Sequence, residues 1–114
     1  MTFDDVCAIA LAWPGVERGT SYGTPALKVK GKLLTRLRED GETLVVLGIG
    51  FDEREMLMEA EPEVFHLTPH YRDLPIVLMR LPQADPRAVE ALLLRRWRAV
   101  APKRLVQEFE AAKG

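Results

Sequence analysis

A chain of 114 residues, 47% apolar and 29% charged, has the size and composition of one soluble domain, which excludes a disordered tail. It is long enough to close a core without disulfides or a structural metal. Its formal net charge of −1 and pI near 6.1 lie well below the basic values of a dedicated nucleic-acid binder.

The elements follow in chain order. Thr2 caps a first helix whose apolar positions Phe3, Val6, Cys7, Ala10 and Trp13 have helical spacing, and Pro14-Gly15 ends it. Residues 19–25, GTSYGTP, read as a loop. In residues 27–37 the odd positions Leu27, Val29, Leu33 and Leu37 are apolar, and bases take the even ones on either side of a Gly31 turn. Asp40-Gly41 marks a tight hairpin leading to a strand over 43–47. Asp52 and Glu55 have the spacing of a capping box for a short helix that runs to Glu61 and stops at Pro62. Strands over 63–68 and 75–81 flank a loop at 69–73. Asp85 and Pro86 start the last long helix, with Val89, Leu92, Leu93, Trp97 and Val100 as its core stripe, and Pro102 breaks it before a helical continuation over 106–112.

No repeat, low-complexity tract or linker divides residues 1–114, so they read as one domain. Antiparallel strands flanked by helices predict an α+β, two-layer sandwich with one sheet face covered by helices and the other wet. No apolar run approaches the roughly 20 residues that span a bilayer. The first residues carry Asp4 and Asp5 where a secretory signal carries bases, and the single Cys7 can form no internal disulfide. The expected setting is cytoplasmic, away from membranes.

Charge is segregated along the chain. Five bases and no acids lie in residues 19–38, nine acids and only Arg54 in 39–63, and a second basic block holds Arg95, Arg96, Arg98, Lys103 and Arg104. If the Gly31 turn preserves register, period two puts Lys28, Lys30, Lys32, Arg36 and Arg38 on one face. Two readings are open: phosphate contact by this ribbon, or plain solvation of an open sheet face.

The strings Leu11-Ala12-Trp13-Pro14-Gly15-Val16-Glu17, Gly19-Thr20-Ser21-Tyr22-Gly23-Thr24-Pro25-Ala26, Gly31-Lys32-Leu33, Glu39-Asp40-Gly41, Thr68-Pro69-His70-Tyr71-Arg72 and Ala101-Pro102-Lys103-Arg104-Leu105, in this order and spacing, resemble the MmcQ/YjbR family. The resemblance covers residues 6–105. It implies a frataxin/CyaY-like fold and a DNA-binding role, the latter suggested by likeness to the double-wing domain of a phage transcription factor. Where relatives carry a lysine at the end of the fourth segment, this chain has Leu47.

Tyr71 and Arg72 offer a stacking ring and a guanidinium, or a tyrosine packed on the sheet edge with its hydroxyl satisfied. Lys103 and Arg104 offer phosphate contacts, or cations at the carbonyl end of the preceding helix. His66 and His70 stand four apart, about 13 Å along a strand, too far for each to reach a zinc at about 2 Å, so no metal is assigned. Ser21 lies in G-x-S-x-G letters without the strand before and helix after that an elbow nucleophile needs, so no catalysis is expected. Cys7, Met56, Met58 and Met79 read as packing residues. The expectation is a non-catalytic DNA-binding domain, without cofactor and taken as a monomer, using Lys28, Lys30, Lys32, Arg36, Arg38, Tyr71, Arg72, Lys103 and Arg104. The alternative is a module binding a small anion or a protein in the concavity between the GTSYGTP loop and the His70-Tyr71-Arg72 loop.

Overall fold

Thr2 opens the first helix, α1 (Phe3–Ala10), through a reciprocal cap: the Thr2 hydroxyl accepts from the Asp5 amide at 3.3 Å and the Asp5 carboxylate accepts from the Thr2 amide at 2.8 Å. Trp13 falls beyond the helix end at Leu11, and turns leading to Gly15 (φ 78) carry it into the core. The structure, a computed structural model, describes residues 1–113.

Four antiparallel strands follow, β1 (Val16–Ser21), β2 (Thr24–Val29), β3 (Lys32–Leu37) and β4 (Thr43–Leu47). Then come α2 (Phe51–Ala60), the short β5 (Phe65–His66), a single 3-10 turn at Pro69–Tyr71, β6 (Ile76–Arg80), α3 (Pro86–Val100) and α4 (Lys103–Lys113). The sheet order is β1-β2-β3-β4-β6-β5. The fold is α+β, an open six-stranded antiparallel sheet with helices packed on one side, as composition and periodicity predict.

Three elements differ from the sequence reading. Much of the stretch expected to be a loop, 19–25, is strand: β1 runs to Ser21, Tyr22-Gly23 make a tight turn, and β2 starts at Thr24. An edge strand with only Val16 buried has no apolar alternation to betray it. Helix α2 starts at Phe51 with Gly50 as its cap and no side-chain cap bond, so the Asp52–Glu55 spacing is not a capping box. Strand β5 keeps only two of its six expected residues.

The helix-facing side of the sheet presents Leu27, Val29, Leu37, Leu44, Val46, Val77 and Met79 to Val6, Cys7, Val89, Leu93 and Trp97. Each such side chain contributes about 1.5–3 kcal/mol when buried. Trp97 is fully buried between Trp13 and Phe109, and its indole N–H donates to the Pro14 carbonyl at 3.0 Å. Met58 packs at the margin of this core, while Met56 is 66% exposed on α2 and packs on nothing central.

The opposite face is less wet than expected. Val45, Ile76 and Leu78 form a second apolar cluster, and Tyr71 from the 3-10 turn covers it. What holds that covering segment down is Arg54 of α2, which is 4% exposed. Its guanidinium donates to the carbonyls of Leu74 and Arg72, both at 2.9 Å, and of Ile76 and Tyr71 at 3.2 and 3.4 Å. Arg54→Met keeps the apolar stem and strands those acceptors, so it is expected to lower stability by about 2–4 kcal/mol, read as a reduced urea midpoint.

His66 sits on the Leu78 side of β5, with Nδ1 buried and unpartnered. Burial first, then the charges of Arg80 and Arg38, hold its pKa below the ordinary 6.5, with Asp40 opposing. Below that value the unfolded chain takes up a proton that the folded chain refuses. Stability present above pH 6.5 is therefore lost as pH falls through this window. Urea midpoints are expected to fall between about pH 7.5 and about pH 5, and His66→Gln is expected to flatten that dependence.

Candidate functional site

The β2–β3 hairpin turns on Lys30-Gly31, both at positive φ (48 and 83), the primed geometry that matches strand twist. A two-residue turn pairs Val29 with Lys32 and Lys28 with Leu33, so Lys32 faces the helix layer with Val29 while Lys28 faces the open side. A bulge then shifts the register between Leu27 and Lys28, so that Thr35 pairs with Leu27 and Arg36 with Ala26. Leu34 enters the core, and Arg36 and Arg38 return to the open face. The expectation that all five bases share one face is therefore corrected: Lys28, Arg36 and Arg38 do, Lys30 occupies the turn, and Lys32 lies on the other side.

Arg36 and Arg38 do not form free positive charge either. Arg36 is 8% exposed; it donates to the Thr24 hydroxyl at 3.1 Å and to the Tyr71 hydroxyl at 2.7 Å. Glu39 lies 3.7 Å from Arg36 and 3.9 Å from Arg38. Tyr71 is 5% exposed, its ring edge-on to His70 and beneath the Arg38 guanidinium. It is the packed tyrosine with a satisfied hydroxyl, not an exposed stacking ring. Arg72 stays exposed, and its carbonyl is one of the acceptors Arg54 holds.

The ring that does stand in solvent is Tyr22, 86% exposed in the β1–β2 turn at φ 53, with the Arg36 guanidinium 5.4 Å from its centroid. Between Tyr22 and the 3-10 turn lies a cleft of about 480 Å³ floored by Val45, Leu47 and Ile76, with Arg36, Glu39 and His70 in its walls. This is the concavity expected between the two loops. A second cleft of about 390 Å³ on the same face, near the other end of β4, holds Asp40, His66 and Arg80. There, burial raises the Asp40 carboxyl, but bonds from the Thr43 hydroxyl and the Glu42 and Thr43 amides bring it below its usual value.

Lys103 and Arg104 open α4, which starts three residues after α3 ends at Val100; Arg104 leans towards Glu108 at 3.7 Å. They lie in the helix layer, away from the open face. Gly15 lies between the hairpin end and α4, since a Cβ built on it would meet the Leu105 side chain at 2.7 Å and the Lys30 stem at 3.6 Å. Arg96 of α3 also reaches that end, donating to the Leu33 carbonyl at 3.1 and 3.3 Å. Of the second basic block, Arg96 is thus the member that meets the hairpin, while Arg95 and Arg98 turn to Glu53 and Glu110. Lys28, Lys30, Lys32 and Lys103 take part in no ion pair among the described residues.

Ser21 does have a strand before it, but a turn and β2 follow where a nucleophile elbow would have a helix. His66 and His70 line different clefts, and no group of three His, Cys, Asp or Glu side chains is placed to hold a metal among the described residues. Cys7 is buried, and burial pushes its thiol up. No helix among the described residues is long and apolar enough to cross a membrane.

Sequence reasoning passed over Tyr22 and Arg54. The first had a signal in its Tyr-Gly pair between strands, and the last in being the one base among nine acids. Glu39, three residues after Arg36, is by contrast a partner for the bases that the sequence itself offers.

The uncharacterised protein Rv2570 of Mycobacterium tuberculosis is 33% identical to this chain over 105 residues, covering 90% of this chain and 81% of the relative. The uncharacterised protein Mb2600 of Mycobacterium bovis matches to the same extent. No solved structure shows significant similarity. The YjbR family profile matches residues 11–99, most of the sheet and helix layer just described, and the chain belongs to the YjbR family.

Proposed function

We propose that this protein is a non-catalytic DNA-binding domain whose phosphate contact is the end of the β2–β3 hairpin, and not a continuous sheet face. The observation that carries this reading is the grouping of Lys28, Lys30 and Lys32 at one hairpin end, none of them in an ion pair among the described residues, with Glu17 the one acid directly opposite, across from Lys28 on β1. Their distribution around the ribbon suits the task. A two-stranded ribbon entering a groove meets a phosphate strand on each side, so cations on both faces are of use. Lys30 adds a second argument. A non-glycine residue at φ 48 carries a conformational cost of about 1–2 kcal/mol that Gly or Asn would reduce, and what that cost secures is a cation at the tip.

Contacts of this kind give salt-sensitive and largely sequence-blind affinity. Fluorescence anisotropy with a labelled duplex is expected to show affinity falling steeply between low and moderate salt. The variant K28A/K30A/K32A should bind more weakly and lose about 0.9 of the log–log salt slope for each phosphate contact removed, with its urea midpoint retained. Absence of binding to any duplex or single strand, or binding indifferent to salt, overturns the reading. The cleft beside Tyr22 favours a second reading, recognition of a small molecule or of one element of a polymer on the open face.

A further inference from the structure

The cleft combines features that folding alone does not require. Tyr22 buries almost nothing, being 86% exposed, and its φ of 53 is a region L-residues enter at a cost of about 1–2 kcal/mol. At the first position of a primed turn, Asn or Gly would serve the hairpin better. A strained residue holding an exposed ring over a cavity points to a use for that ring.

Arg36 is the second feature. Its side chain is 10% exposed, and the bonds it makes within the chain run from Nη1 to Thr24 Oγ1 and the Leu37 carbonyl, and from Nη2 to the Tyr71 hydroxyl. A guanidinium carries five N–H donors. The Nε–H and the second Nη2–H therefore have no hydrogen-bond acceptor among the described residues, on a side chain that lines the cleft. Tyr71, its hydroxyl already accepting from Arg36, keeps its own O–H to donate.

Charge selects the class of ligand. Glu39 stands 3.7 Å from Arg36 and offsets it, so a carboxylate or phosphate entering here would have to displace a tethered carboxylate. A neutral ring meets no such competitor. Adjacent Arg36 and Glu39 present donors beside acceptors, the complement of a ring edge that carries an acceptor beside an N–H. The floor of Val45, Leu47 and Ile76 is apolar, as the face of a flat ring requires, and about 480 Å³ falls within the usual range of about 300–1,000 Å³ for small-molecule sites.

We propose that this cleft binds one planar heteroaromatic ring bearing adjacent hydrogen-bond acceptor and donor groups, the chemistry of a nucleobase, held against Tyr22 and read by Arg36 and Glu39. The proposal deepens the DNA reading where the ring belongs to an unpaired base, and for that source it rests on that reading. For a free nucleoside it stands by itself.

The test is a titration of ¹⁵N-labelled protein with guanosine, adenosine and thymidine, followed by amide shifts, with ribose 5-phosphate as the ring-free control. At least one nucleoside is expected to give saturable shifts confined to the amides around Tyr22, Val45–Leu47 and Tyr71–Ile76, little changed by salt, while the control gives none there. Tyr22→Asn should weaken that binding about 5- to 150-fold, the range of one base–aromatic stack, while leaving the urea midpoint equal or higher because the turn is relieved. No saturable shift with any nucleoside, an equal response to ribose 5-phosphate, or unchanged affinity in Tyr22→Asn overturns the proposal.

The two readings fail separately. K28A/K30A/K32A should retain nucleoside binding while losing salt-dependent DNA binding. Nucleosides that bind where no DNA does leave the cleft standing and remove the DNA role; the converse removes the cleft alone. Single-stranded tetranucleotides separate the sources. If one binds more tightly than its nucleoside at high salt, with the Tyr22→Asn loss preserved, the ligand is an unpaired base; if equally, it is a free ring.

Discussion

One extra residue in β3 governs how this sheet uses its side chains. The Lys30-Gly31 turn, by pairing Val29 with Lys32, reverses the parity of the returning strand, and without correction Arg36 and Arg38 would point into the helix layer. A lone guanidinium in that apolar core would lose its hydration with nothing to replace it. The bulge that absorbs Leu34 restores parity, sending Leu34 and Leu37 inward and both arginines to the open face. There, the Tyr71 hydroxyl, the Thr24 hydroxyl and Glu39 meet the charge of Arg36. The core and the cleft are consequences of the same insertion.

Arg54 does for the cleft's outer wall what the bulge does for its inner one. The segment from Tyr71 to Ile76 has little regular structure of its own, and four of its carbonyls turn towards α2. One buried cation satisfies them together, and its cost of desolvation is spread over several charge-assisted bonds. Helix α2 is itself tied to α3 by the two-pronged Arg95–Glu53 pair at 2.8 and 3.0 Å, so the wall is anchored through the helical layer. A side-chain cleft on an open sheet face is ordinarily soft; this one is fastened from behind.

The letters disclosed the helices and inner strands well because their signals are local. Thr2, Asp85-Pro86 and Asp40-Gly41 each fix backbone geometry within a few residues, β4 is a continuous β-branched and apolar run, and α3 carries an apolar stripe at helical spacing. The edge strand β1 was illegible because an exposed strand needs no alternation, and β5 because its existence depends on pairing with β6 across the intervening segment. The candidate site was half legible. The concavity between the two loops and the packed state of Tyr71 follow from residue chemistry, whereas the shared-face expectation for the five bases failed on parity, which a two-residue turn and a bulge each reverse once. Period-two arguments carry across a hairpin only when both of those are known.

The two primed turns of the first half share a property that ties fold to surface. Tyr22-Gly23 and Lys30-Gly31 each place a large side chain where a small polar one relaxes best, with φ 53 and 48. At both positions glycine follows and absorbs the second positive φ, so the strain is confined to one residue per turn. The strained residues are the sheet's exposed ring and its outermost cation, at the opposite ends of β2. Because strands rise about 3.3 Å per residue, six residues of β2 separate the two turns by close to 20 Å, comparable to several nucleotides of an extended strand. On the DNA reading proposed above, a single strand laid along β2 meets lysine at one end and the ring at the other, with Lys28 stretched over Gly19 between them on the open face.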